Sequence, residues 1–77
     1  MFTTVETPNS SNIERIGYSA DALTVRVAFK RKDGIALWEY WPVTEEDYIA
    51  IRDAESVGKA VHQYLVKGPY QSKRVTE

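Results

Sequence analysis

The sequence predicts an α+β domain: a small antiparallel β-sheet, a hairpin plus one or two short strands, packed on one face by one or two C-terminal helices. Three observations carry this expectation. Leu23, Val25, Val27 and Phe29 alternate with Thr24, Arg26, Ala28 and Lys30, the two-residue period of a strand with one buried and one wet face. Asp33-Gly34 follows, a dipeptide suited to a tight turn. The run Ile35–Trp41 returns from it and ends at Pro42, which has no N–H to give a ladder. Beyond Pro42 the period changes: Val57, Ala60, Val61, Tyr64 and Leu65 fall at i, i+3, i+4, i+7 and i+8, one stripe of a helix.

In chain order, residues 1–12 are polar and without period, and read as a flexible N-terminal arm; residues 13–77 form a single domain. Ile13, Ile16 and Tyr18 anchor a short first element around Gly17, and a turn over residues 19–22 leads into the first long strand. Arg31-Lys32-Asp33-Gly34 is the hairpin turn, with Asp33 and Gly34 expected to take positive φ. A two- or four-residue loop puts Trp38 and Tyr40 on the face of Val25, Val27 and Phe29; a three-residue loop puts Leu37, Glu39 and Trp41 there instead. The second register would press Glu39 into the core, where an unpaired carboxylate is costly, so the first is preferred and Trp41 falls on the outer face with Arg26 and Lys30. Thr44 caps a helix whose first turn, Glu45-Glu46-Asp47, suits the positive end of the dipole, and Tyr48, Ile51 and Ala54 form its apolar side. Ser56 caps the second helix and Gly68-Pro69 ends it. Val75 in the tail provides for a last strand.

Composition removes most chemistry. A chain of 77 residues is one small domain, burying only about 60–65% of the surface its unfolded form exposes. It has no cysteine, so no disulfide and no thiolate-bound metal, and a single histidine argues against a His-rich metal site. No apolar run of membrane-spanning length and no signal peptide are visible, which leads us to expect a cytoplasmic protein without membrane contact. His62 sits beside the Ala60/Val61 stripe and reads as a structural or surface residue. The Glu45–Asp47 cluster reads as a dipole-matched helix start, and no phosphate-binding glycine loop is present. The expectation is a non-enzymatic binding protein with no cofactor.

Charge is segregated although the net charge is only −1. Arg26, Lys30, Arg31 and Lys32 cluster on the hairpin, carboxylates crowd the segment after it, and Lys67, Lys73 and Arg74 gather near Tyr70. Rings interleaved with cations suit bases and phosphates. The structural alternative is that the hairpin cations protect a sheet edge and Trp38, Tyr40 and Trp41 fill the core, and for Lys30–Lys32 edge protection is the preferred reading. For Arg26, mid-strand and near Trp38, Tyr40 and Trp41, both readings stand.

Ser10-Ser11-Asn12-Ile13, Ile16-Gly17-Tyr18, the Leu23–Phe29 alternation, Trp38-Glu39-Tyr40, Ser56-x-Gly58 and Lys67-x-x-Tyr70 occur in an order that resembles the KTSC family, over about residues 10 to 75. Domains of that family occur at the C-terminus of some lysyl-tRNA synthetases and as free-standing small proteins of bacteria and phages, and RNA binding has been proposed for them. The resemblance places the family's central Tyr-x-Tyr on Trp38 and Tyr40, its Ser-Asn-Ile start on Ser11–Ile13, and its late lysine and aromatic on Lys67 and Tyr70. Three departures stand out: Trp38 for a tyrosine, Ala60 and Val61 for an aromatic pair, and one extra residue between Gly58 and Lys67.

The resulting expectation is a binder of a small anionic nucleotide, most concretely a phage-type sponge for a cyclic nucleotide immune signal such as those of CBASS. Its alternatives are an RNA-binding module, against which the net charge weighs, and a protein-interaction module using Trp41 and a free sheet edge. A chain this short does not easily enclose a ligand, so a homo-oligomer with sites between subunits is expected. The expected ligand-binding residues are Asn12, Tyr18, Arg26, Trp38, Tyr40, Lys67 and Tyr70: rings on bases, Arg26 and Lys67 on phosphate, Asn12 on a base edge or ribose.

Overall fold

The computed structural model describes residues 3–6 and 12–75. Among the described residues five strands form one antiparallel sheet in sequential order: β1 (Thr3–Glu6), β2 (Ile13–Ser19), β3 (Thr24–Arg31), β4 (Gly34–Trp41) and β5 (Gln71–Val75). Between β4 and β5 the chain builds the helical layer from α1 (Glu45–Arg52), α2 (Val57–Ala60) and a π-helix running directly on from it (Val61–Val66).

The β3–β4 register is the one that the cost of burying Glu39 selects. Val25 pairs with Tyr40, Val27 with Trp38 and Phe29 with Ala36, so the alternation of β3 and the rings of β4 share the helix-facing side. Arg31 pairs with Gly34, leaving a two-residue loop of Lys32 and Asp33. Positive φ in this turn falls on Gly34 alone, at 136°, and not on Asp33 as expected. The strain goes elsewhere: Leu23, in the β2–β3 turn, is the described non-glycine residue with positive φ, at 50°.

A bulge at Glu14 shifts the β2–β3 register, Ile13 facing Phe29 and Arg15 facing Ala28. The extra residue lets Ile13 and Ile16, three apart, both point inward, where both are fully buried. With Val25, Val27, Val43, Ile51, Val61 and Leu65 they form the dry centre of the core. Each such side chain contributes about 1.5–3 kcal/mol relative to leaving it exposed.

The helical layer begins where expected. Thr44 Oγ1 accepts from the Asp47 N–H at 3.2 Å, and Glu45, Glu46 and Asp47 occupy the first turn. Val43 joins the layers: its N–H donates to the Leu23 carbonyl at 2.7 Å, and its carbonyl accepts from the Tyr18 hydroxyl at 2.7 Å. The Tyr18 ring stacks on Tyr48 with centroids 4.8 Å apart. Ser56 caps α2 by accepting from the Lys59 N–H. The chain then widens, and the Lys67 N–H donates to the carbonyl of His62, five residues back, at 3.1 Å. The π-helix lies within the Gly58–Lys67 stretch, where the family resemblance counts one extra residue, and a π turn is how a helix absorbs an insertion without breaking. It also corrects the apolar stripe. Ala60, Val61 and Leu65 are buried, but Tyr64 is 53% exposed, because each residue of the wider helix turns through a smaller angle and Tyr64 falls short of the core.

The N-terminal arm needs correction too. Thr3–Glu6 pairs with β2 from Thr3↔Tyr18 to Glu6↔Arg15. An edge strand needs only backbone bonds and β-tolerant residues, so the missing alternation did not prevent it. Residues 1–2 and 7–11 of the expected arm lie outside the described residues.

Burial pushes the phenols of Tyr18, Tyr40, Tyr48 and Tyr70 above the ordinary tyrosine value of 10.0. A phenol with a raised folded-state pKa keeps its proton after the unfolded chain has lost it. Stability is therefore fully present below about pH 10 and is lost as pH rises through that value toward the folded pKa. Urea melts across alkaline pH should show a level plateau followed by this decline, and Tyr18→Phe should make the decline shallower. A stability that keeps rising above pH 10 would contradict the assignment.

Candidate functional site

Between the helix-facing side of the sheet and α2 with the π-helix lies an open groove of about 1000 Å³, which runs from Arg31 at the hairpin end of the sheet to Tyr40 and Ser72. Its floor is aromatic: Phe29, Trp38 and Tyr40 share one face by strand parity, and Ser72 of β5 continues it. Asn12 and Arg31 stand on the sheet side. The Asn12 carbonyl accepts from the Lys30 N–H at 2.8 Å, which pins the entrance to β2 beside the end of β3. Opposite them, Gly58 and Lys59 from α2, His62, Gln63 and Val66 from the π-helix, and Lys67 make the other wall.

The charge of this lining is one-sided. Among the described residues Arg31, Lys59 and Lys67 supply three cations to the lining, His62 adds an imidazole, and no carboxylate contributes. None of the three cations makes an ion pair with a carboxylate among the described residues. The Arg31 guanidinium lies over the Phe29 ring, 5.5 Å from its centroid, a cation–π contact that holds it against the floor. Its charge reaches Tyr40, where it works against the rise that burial imposes on that phenol. Flat π-faces bounded by guanidinium and ammonium groups offer stacking and phosphate recognition together. Among the described residues no group of three or more histidine, cysteine or acidic side chains could hold a metal ion, and no helix is long and apolar enough to cross a membrane.

Four of the seven residues expected from sequence meet here: Asn12, Trp38, Tyr40 and Lys67. Three do not. Tyr18 is buried against Tyr48 with its hydroxyl committed to Val43, so it is a core residue. Tyr70 packs on the core edge and its hydroxyl donates to Asp47 Oδ2 at 3.2 Å, tying the approach to β5 onto α1. Arg26 lies on the opposite face of the sheet, because it pairs with Glu39 and every residue of that parity points away from Trp38. Its Nε and Nη2 donate to Glu39 Oε2 at 3.0 and 2.6 Å, and Glu39 is only 13% exposed. Arg26→Ala is therefore expected to cost about 1–2 kcal/mol by leaving a largely covered carboxylate without the guanidinium donors that pair with it. An unaltered urea midpoint would show that the pair contributes nothing.

Sequence reasoning passed over Arg31, Lys59 and His62 as site residues, yet the signals were present. Arg31 continues the Val25–Val27–Phe29 parity by one step. Lys59, His62, Gln63, Val66 and Lys67 fall at i, i+3, i+4, i+7 and i+8, a polar stripe beside the apolar one.

The chain matches the family model described as KTSC domain over residues 9–70. The crystal structure of a KTSC domain protein from Yersinia pestis superposes with a TM-score of 0.80 at 24% sequence identity, covering 99% of this chain and 100% of that one. At that identity the likeness speaks for the fold. No curated protein matches the chain.

Proposed function

The chain belongs to the KTSC domain family, and we propose that its groove binds a small anionic nucleotide, with a base on Trp38 and phosphate on Arg31, Lys59 and Lys67. The supporting observation is the contrast between the groove and the whole. A chain of net charge −1 concentrates three cations around an aromatic floor, with no carboxylate in the lining among the described residues. One compact cationic site suits one small ligand. A long RNA would need a basic track, whereas on the outer face Arg26 is neutralised by Glu39 and the first turn of α1 is acidic. A protein that holds such a ligand without turning it over acts as a sponge, and a cyclic nucleotide signal is the ligand that gives sequestration a purpose. All the groove residues named come from a single chain, so this reading does not require a site shared between subunits.

The test is a thermal-shift panel of cyclic di- and trinucleotides, ADP-ribose-type compounds, mononucleotides and a short single-stranded RNA, at low and moderate salt. Ligand at 100 times its Kd adds about 2.7 kcal/mol, a shift of roughly 10–20 °C for a domain of this size. A large shift with one nucleotide that survives added salt supports the reading. Shifts with RNA alone that fade with salt would replace it by RNA binding, and silence across the panel would overturn it in favour of a protein partner.

A further inference from the structure

The register of β5 separates two cations that the sequence places side by side. Arg74 pairs with Trp38 and Ser72 with Tyr40, so both belong to the helix-facing side of the sheet, the side that forms the floor of the groove. Lys73 pairs with Glu39 and belongs to the opposite face. Ser72 lines the groove, and Arg74 is the next residue of that face along the exposed edge strand. The groove surface thus extends past Ser72 to a fourth cation, on the far side of Trp38 from β3.

The distance across this surface bears on the ligand. Arg31 sits at the hairpin end, level with Gly34, and Arg74 sits level with Trp38 and Val27. That is four residues along the strands and two strands across. With a rise of about 3.3 Å per residue and about 4.8 Å between strands, the two Cα atoms lie about 16 Å apart. One phosphate held by Arg31 leaves Arg74 unengaged, and Trp38 lies on the strand between theirs, directly beside Arg74.

We infer that the ligand is of dinucleotide class, with one phosphate on the Arg31 side of the groove, a second on Arg74, and a base stacked on Trp38 between them. This deepens the nucleotide reading and rests on it. Arg74 becomes the residue that distinguishes two phosphates from one.

The experiment is calorimetric titration of the full chain with the 5′-phosphorylated dinucleotides pApA, pGpG and pUpU, each against its mononucleotide. The wild type is compared with Arg74→Glu, Lys73→Glu and Arg31→Glu. The preferred dinucleotide should bind wild type at least tenfold more tightly than its mononucleotide. Arg74→Glu should abolish that advantage while leaving the mononucleotide affinity unchanged. Lys73→Glu makes the same charge change one residue away on the other face, and should leave both affinities unchanged. If Arg74→Glu and Lys73→Glu act alike, or Arg74→Glu has no effect while Arg31→Glu weakens binding, the inference is overturned and the groove stands. If no probe binds, the dinucleotide inference falls; if the thermal-shift panel is silent as well, or Arg31→Glu changes nothing, the nucleotide reading itself falls.

Discussion

Gly68→Ala is expected to lower the melting temperature by on the order of 15 °C. A Cβ at residue 68 would sit on the carbonyl oxygen of Tyr64, far inside contact distance, with the Tyr70 ring carbon Cδ2 only 3.2 Å away. The obstacle is backbone, so no rotamer change relieves it; either the end of the π-helix or the approach to β5 must move. Overpacking at a rigid site costs roughly 1–3 kcal/mol and more where the chain itself must shift, and for a domain of this size each kcal/mol is worth about 4–8 °C. The displaced segment carries Lys67 on one side and Tyr70, hydrogen-bonded to Asp47, on the other. Nucleotide binding should weaken along with stability. Differential scanning calorimetry decides the matter; a melting point within 2 °C of wild type would mean that the close approach is not rigid.

Reversing two groove charges together, Arg31→Glu with Lys67→Glu, is expected to cut nucleotide affinity at least 100-fold while leaving the melting point nearly unchanged. Each hydrogen bond to a charged group contributes about 1.5–3 kcal/mol, and each reversal adds repulsion to the loss. Both side chains are exposed and neither is ion-paired to a described carboxylate, so folding depends little on them. The matched control is Lys32→Glu with Lys73→Glu, which changes net charge equally from the turn and from the outer face of β5. Equal weakening by the two doubles would show that binding follows overall charge and not the groove.

How much of this was legible in the sequence follows from which forces act locally. The alternation of β3, the Thr44 and Ser56 caps and the unfavourable burial of Glu39 each depend on a few neighbouring residues, and each led to the observed element or register. The same register already separates Arg26 from Trp38. Joining them as one site followed their nearness in sequence, where the pleat puts them on opposite faces. β1 was illegible because an edge strand takes its stability from backbone bonds to β2, which leave little trace in side-chain pattern. The π-helix depends on how an added residue is absorbed between two fixed ends. Periodicity assumes a constant turn, so Tyr64 was assigned to the core although it faces solvent. The cationic wall was passed over because a polar helix face ordinarily meets only water, and it gained meaning once the sheet opposite it was seen to present rings.

The sequential strand order has a kinetic consequence. From β1 to β4 every pairing joins neighbours in sequence, so three short loops close early and at little entropic cost. β5 alone must wait, because the chain from Pro42 to Tyr70 has to collapse onto the sheet before its edge can accept a last strand. That segment carries Lys59, His62 and Lys67, and β5 itself carries Ser72 and Arg74. The helix wall and outer edge of the proposed site are therefore expected to assemble after its aromatic floor, and a ligand that bridges the two would act as a latch on the segment that joins last.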